Sequence, residues 1–356
     1  MKSRVLARDL ENISKRVCFQ EFDNSTVLVT GATGLIGSLL VKTLIFCSRK
    51  YKLNIKVVAC VRSVEKADRI FGDMEDSANL EYCVSDLLSG EINYDKAVDY
   101  IIHTAAITNS QMMVKFPVDT AMVAINGTNK VLEFGAAHKV KSVVYISSME
   151  VYGQINQTNK ISEETLGYID ITKPRSSYPE SKRMCECLCA AYAEQYDLNV
   201  KVVRLAQTFG AGISREENRV FAQFARSVIN MENIVLHTHG QSEGNYVYTA
   251  DAVAAILLVL LHGKKAEIYN VSNEESHMKI CEMAEMAAKE LADGKIKVVY
   301  DIPEDSKAYG YAPETHLWMD SSKMKALGWE AQVSLKESYV RTMEWMEDIG
   351  MVRKTR

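Results

Sequence analysis

Tyr178 and Lys182 stand four residues apart in "RSSYPESKRMCE", a spacing that places both on one face of a helix. A phenol titrates near pH ~10 and serves as a base at neutral pH only when a neighbouring cation favours the phenolate. A lysine one turn away supplies that charge and can also hold a ribose. The same spacing fits an ordinary surface Tyr–Lys pair. Upstream, "SSMEVYG" (147–153) closes a strand-like run and puts Ser148 at its end. A hydroxyl there can hydrogen-bond the substrate oxygen that Tyr178 deprotonates.

A second chemical signal is "VLVTGATGLIGSLLVKTLI" (27–45), where a buried-strand pattern runs into Gly31, Gly34 and Gly37 and continues as an amphipathic helix. Glycines at that spacing permit a tight turn and close backbone approach, and the following helix aims its amino end at a pyrophosphate. A plain strand–turn–helix corner packed with small residues would read the same way.

These residues need a scaffold that gathers strand ends into one cleft. Strand patterns at "STVLVT", "IKVVACV" (55–61), "LEYCVSD" (80–86), "VDYIIHTAA" (98–106), "KSVVYISS" (141–148) and "NVKVVRLA" (199–206) alternate with helical patterns over 35–49, 117–138 and 178–196. That rhythm predicts an α/β fold, a Rossmann-type doubly wound parallel sheet over 26–206. Residues 1–25 read as a charged, helical lead-in. From 207 to 356 the rhythm loosens into loops such as "GAGISREENR" and "HTHGQSEGN", short helices and two short strands, "NIVLHT" and "EIYNVS". This predicts a smaller C-terminal substrate-binding region, with the chain free to cross between the two parts. "LGWEAQVSLKESYVRTMEWM" reads as a terminal helix with an aromatic stripe.

At 356 residues the chain is long for one domain. Its 47% hydrophobic and 25% charged residues are those of a globular protein. Net charge is −4 with no basic block, which argues against a nucleic-acid partner. The longest apolar run, "AVAAILLVLL" (252–261), is too short to span a bilayer, so no membrane association is expected. The first residues lack the apolar core of a signal peptide, and the expected location is the cytoplasm. Cys185, Cys187 and Cys189 lack ligand spacing, His103 sits within a strand, and His237 and His239 have no partner at ligand spacing. No metal is expected, and the eight cysteines read as free thiols.

Together these pieces resemble the extended short-chain dehydrogenases/reductases, in the NAD-dependent epimerase/dehydratase branch that modifies nucleotide sugars. The resemblance runs from residue 26 to about 345 through "TGATGLIG", "SDL", "HTAA", "INGTNKVLE", "SSMEVYG", "YPESK", "VVRLAQTFG" and "YVYTADAV". It implies that Gly31, Thr33, Gly34, Leu35, Ile36 and Gly37 bind the cofactor pyrophosphate, and that Asp86 and Leu87 sit by the adenine. Ala105 and Ala106 would line the path to the nicotinamide, with Asn126 a supporting asparagine near the tyrosine. Ser148, Tyr178 and Lys182 would be the catalytic triad, and Thr108 and Gln207 would face the substrate. The implied mechanism removes a proton from a sugar hydroxyl, usually the 4-hydroxyl, as hydride passes to the nicotinamide, then returns the hydride after chemistry at a neighbouring carbon. A homodimer paired through the tyrosine-bearing helix and its neighbour is also implied.

Three departures qualify that expectation. The 4,6-dehydratases carry an acidic pair where this chain has Met149 and Glu150, and methionine cannot donate a proton. Glu150 remains, as in uronate decarboxylases, whose Y-x-E-x-K-R-x-x-E helix "YPESKRMCE" resembles; it would otherwise be a polar residue bonding the next loop. The arginine that usually grips the substrate diphosphate is replaced by Gly244, so Arg215 or Arg219 would substitute or else remain surface charges. Finally, Arg62 ends the second strand where NAD enzymes usually place an acid. NAD is expected, and Arg62 leaves NADP open. The expected activity is 4-epimerisation or uronate decarboxylation, ahead of 4,6-dehydration. The competitors are an NADPH-dependent reductase of a small carbonyl compound and a non-catalytic cofactor-binding protein.

Overall fold

The computed structural model describes residues 3–72, 74, 77–87, 91–155, 157–303 and 314–351. The chain opens with α1 (Arg4–Ser14), β1 (Ser25–Thr30), α2 (Leu35–Tyr51), β2 (Ile55–Val61), α3 (Val64–Phe71), β3 (Leu80–Val84) and β4 (Tyr100–His103). It continues through α4 (Ser110–Lys115), α5 (Pro117–Ala137), β5 (Ser142–Ser148), α6 (Ser177–Gln195), β6 (Val200–Leu205) and β7 (Gln207–Phe209). The remainder is α7 (Val220–Asn230), β8 (Ile234–Leu236), β9 (Glu243–Tyr248), α8 (Thr249–His262), β10 (Ile268–Val271), β11 (Asn273–Lys279), α9 (Ile280–Met286), β12 (Val298–Tyr300), α10 (Ser322–Ala326) and α11 (Leu335–Asp348).

Seven strands form one sheet in the order β10-β6-β5-β4-β1-β2-β3, with every adjacent pair parallel. Strands covered on both faces read as continuous apolar runs. In β2 only Lys56 is exposed. Along β1, Val27 and Val29 enter a core with α1, α2 and α8, while Leu28 between them enters a second core with α5 and α6. This alternation is the two-residue repeat of a strand between two helical layers. The order reverses between β4 and β1, and the carboxyl ends of these strands open there into a cleft.

Beyond residue 206 the sequence reading needs two corrections. "EIYNVS" is not a strand of the smaller region, because β10 pairs with β6 at the edge of the main sheet. The stretch read as the loop "HTHGQSEGN" gives way at Glu243 to β9, the central strand of a second sheet ordered β11-β9-β7. The chain therefore leaves the main sheet after β6, builds α7, β8 and β9, and returns through α8 and β10. A third core, containing Phe209, Phe221, Met283 and Tyr339, holds the outer region together. α1 bridges the parts, since buried Asp9 accepts from Tyr248 Oη at 2.6 Å and from Arg341 Nη1 at 2.9 Å. Among the described residues no helix is long and apolar enough to cross a membrane.

Candidate active site

The turn after β1 works by close approach. Gly31 has φ +63°, and a Cβ there would lie 2.8 Å from the backbone of Ala105 beyond β4. A Cβ on Gly37 would fall 2.3 Å from the Gly31 carbonyl oxygen. Only glycine lets β1, β4 and the start of α2 meet this tightly. α2 begins at Gly34 with no side-chain cap and no acid in its first turn. Its first amides are thus left for an anion, which fits a dinucleotide pyrophosphate.

The triad residues come from two elements. Ser148 closes β5, and Tyr178 and Lys182 lie one turn apart on α6. Both α6 side chains are buried, and Lys182 Nζ donates to the Ile146 carbonyl at 2.7 Å, which pins it beneath the end of β5. The ammonium stands 4.7 Å from the Tyr145 ring centroid and 5.9 Å from that of Tyr178. Burial pushes Lys182 down to about 8. Burial also pushes Tyr178 up to about 12; the Glu150 charge adds to this, whereas the Ser148 hydroxyl, Arg175 and Arg219 pull it back. A base in this position needs added positive charge to work near neutrality.

A cleft of about 2900 Å³ joins these parts, several times the ~300–1,000 Å³ of a typical small-ligand pocket. Thr33, Leu35, Ile36 and the three glycines line it, as do Arg62, Asp86 and Leu87. Ala105, Ala106, Thr108, Ser148, Glu150, Tyr178 and Lys182 line the same cleft. Gln207 and Arg219 reach it from the outer region. Two of the residues expected near the site do not line the cleft. Arg215 donates to the Ile349 and Gly350 carbonyls and does not line the cleft, because the end of α11 captures it. Asn126 is half-buried on α5 and does not line the cleft either.

Arg219 is held by Glu217 through Nε at 3.0 Å and Nη2 at 2.7 Å. At Gly244, an added Cβ would meet only the Leu317 carbonyl oxygen, at 3.8 Å. Among the described residues the Glu150 side chain is bonded by Arg175, while its backbone carbonyl accepts from Gly153 N in the following loop at 3.2 Å. Both carboxylate oxygens accept from Nη2 of Arg175, at 2.9 and 2.8 Å. Arg175 escaped the sequence reading, although its place three residues before Tyr178 at a helix start was a usable signal. Among the described residues, no group of three or more His, Cys, Asp or Glu side chains could hold a metal ion.

The family model described as "NAD dependent epimerase/dehydratase family" matches residues 27–272. The dTDP-D-glucose 4,6-dehydratase of Homo sapiens is 24% identical over 335 residues, covering 90% of each chain. UDP-glucuronic acid decarboxylase 1 of Xenopus tropicalis is 26% identical over 337 residues, 91% of this chain and 73% of the relative. In fold, the crystal structure of a Thermotoga maritima UDP-glucose 4-epimerase with UDP-glucose matches with a TM-score of 0.74 at 22% identity, covering 91% of this chain and 99% of that one. The match spans the glycine turn, β5 and α6, and the chain belongs to the NAD-dependent epimerase/dehydratase family.

Proposed function

We propose that this enzyme acts on a nucleotide sugar through transient oxidation at C4, ending in 4-epimerisation or, for a uronic acid, decarboxylation. The observation that carries this reading is the composition of the cleft around Tyr178. Ser148 and Lys182 line the cleft with Tyr178, Glu150 is tied to Arg175, and the residue before Glu150 is Met149, which has no proton to donate.

Tyr178 takes the proton of the 4-hydroxyl, and the Ser148 hydroxyl bonds the same oxygen. NAD, held by the glycine turn and the uncapped start of α2, would supply hydride transfer to and from C4. The buried Lys182 ammonium favours the phenolate. In a 4-keto uronic acid the C5–C6 bond can break as carbon dioxide leaves, its electron pair passing to the C4 oxygen, where Ser148 and Tyr178 are placed to stabilise it; C5 then takes a proton. In an epimerase the keto sugar turns over in the cleft and receives hydride on its other face. Arg219 serves the substrate diphosphate in place of an arginine at 244. Exposed Val118 and Met122 on α5 and Met184 on α6 support pairing of two copies through these helices, which light scattering tests.

The deciding experiment identifies cofactor released from the purified protein by mass, then adds UDP- and dTDP-linked hexoses and uronic acids and follows absorbance and products. Retained NAD, a transient reduced-nicotinamide band and an epimer or a pentose product support the reading. A second reading rests on Arg62 lining the cleft with no acid at the end of β2. Stoichiometric consumption of NADPH on a small ketone, with no reaction of any nucleotide sugar, would establish that reductase instead.

A further inference from the structure

We infer that Arg175 is a positioning residue for the oxidation step, the counter-ion that lets ionised Glu150 stand beside Tyr178 without blocking formation of the phenolate. The inference rests on the reading of Tyr178 as the base.

The geometry is a three-body contact. Arg175 lies in the short turn Pro174–Ser176 that leads into α6, and Glu150 lies in the turn Met149–Tyr152 that follows β5. One guanidinium nitrogen spans both Glu150 oxygens, and the Arg175 Cζ sits 5.7 Å from the Tyr178 ring centroid. That separation lies within cation–π range. The ion pair is about one-third exposed on each side, so it faces the cleft rather than the core.

The charges facing Tyr178 come from every element around it. Glu150 opposes the phenolate; Arg175 and Arg219, the latter at the start of α7, favour it. Lys182 reaches it along α6, and the neutral phenol of Tyr145 lies beyond on β5. These cations are not equivalent. Burial pushes Lys182 down to about 8, and Arg219 is held by Glu217 at 2.7 Å, whereas Arg175 is held by Glu150 itself. An arginine holds its charge at every pH the protein survives. Arg175 is therefore the cation that keeps the Glu150 carboxylate from governing Tyr178.

The test follows Tyr178 itself. NAD-loaded protein carrying isotope-labelled tyrosine Cζ is titrated by NMR, and the Tyr178 signal is the one missing from Tyr178→Phe. Arg175→Met should raise its midpoint by about one pH unit, Glu150→Gln should lower it, and the double variant should return close to the native value. Arg175→Lys should hold it near native. An unchanged midpoint in Arg175→Met, or a double variant that titrates like Arg175→Met alone, overturns the proposal. Should Arg175→Met not fold, the same interaction is read between Glu150→Gln and the double variant, which must titrate higher. No turnover is needed. A protein that acts on no nucleotide sugar yet shows these shifts would refute the proposed substrate class and leave this inference standing.

Discussion

Arg204 and Glu186 form a buried ion pair at 2.6 Å, and the same carboxylate accepts from Ser147 Oγ near the end of β5 at 2.5 Å. Ser147 precedes Ser148, so the pair anchors the last side chains of β5. Removing one charge strands the other. Glu186→Gln should cost about 3–5 kcal/mol of unfolding free energy, read by urea denaturation. Glu186→Gln with Arg204→Met should recover part of it, since no buried charge is then left alone. A loss below about 1 kcal/mol in the single variant would show that the pair is relieved by water.

Gly31 supplies a separate test. Gly31→Ala would force a side chain into a left-handed backbone against Ala105, a conformation that costs about 1–2 kcal/mol before any clash. The expected outcome is a lower melting temperature together with at least tenfold weaker NAD binding by calorimetry. Native affinity would show that the turn can open without harm.

The two candidate arginines should separate cleanly. Arg215→Ala loses hydrogen bonds to the end of α11 and should leave kcat/KM unchanged. Arg219→Ala removes a charged donor from the cleft, a change of about 1.5–3 kcal/mol. That corresponds to a rise in KM of about ten- to a hundredfold. The reverse ranking in steady-state kinetics would move the diphosphate to another part of the cleft.

His103 makes stability depend on pH. It is fully buried between Thr30 Oγ1 at 2.6 Å and Thr128 Oγ1 at 3.1 Å, and burial, aided by the Lys182 charge, holds it down to about 3 from its ordinary 6.5. Below pH 6.5 the unfolded chain binds a proton that the folded chain refuses. The stability present above that pH is therefore lost as pH falls towards 3, at up to about 1.4 kcal/mol per pH unit. His103→Gln should lose less between pH 7 and pH 4.5 in chemical denaturation. Equal losses would assign the slope to other groups.

Much of this was legible because local patterns carried it. β1, β2, β5 and β6 are rich in β-branched residues, and Tyr178 and Lys182 needed only the helical repeat to share a face. The misreadings concern partners distant in sequence. Nothing local in "EIYNVS" tells an edge strand of the main sheet from a strand of the outer lobe, because the choice is made by β6, more than sixty residues earlier. Arg215 carries the right charge in the right loop, and only the fold reveals that α11 ends beside it. Arg175 and Glu150 lie 25 residues apart in sequence, too far for any helix or hairpin spacing to pair them.

The late arrival of β10 also bears on how the protein is made. Until Ile268–Val271 leaves the ribosome, β6 presents an open parallel edge of Val202, Val203 and Leu205, the kind of surface that recruits other chains. The intervening α7, β8 and β9 must be synthesised while that edge is bare. A nascent chain stalled between residues 206 and 268 is therefore a better chaperone client than either a shorter or a longer one. Cutting the gene at the apparent end of the first lobe would yield aggregates rather than a free nucleotide-binding domain.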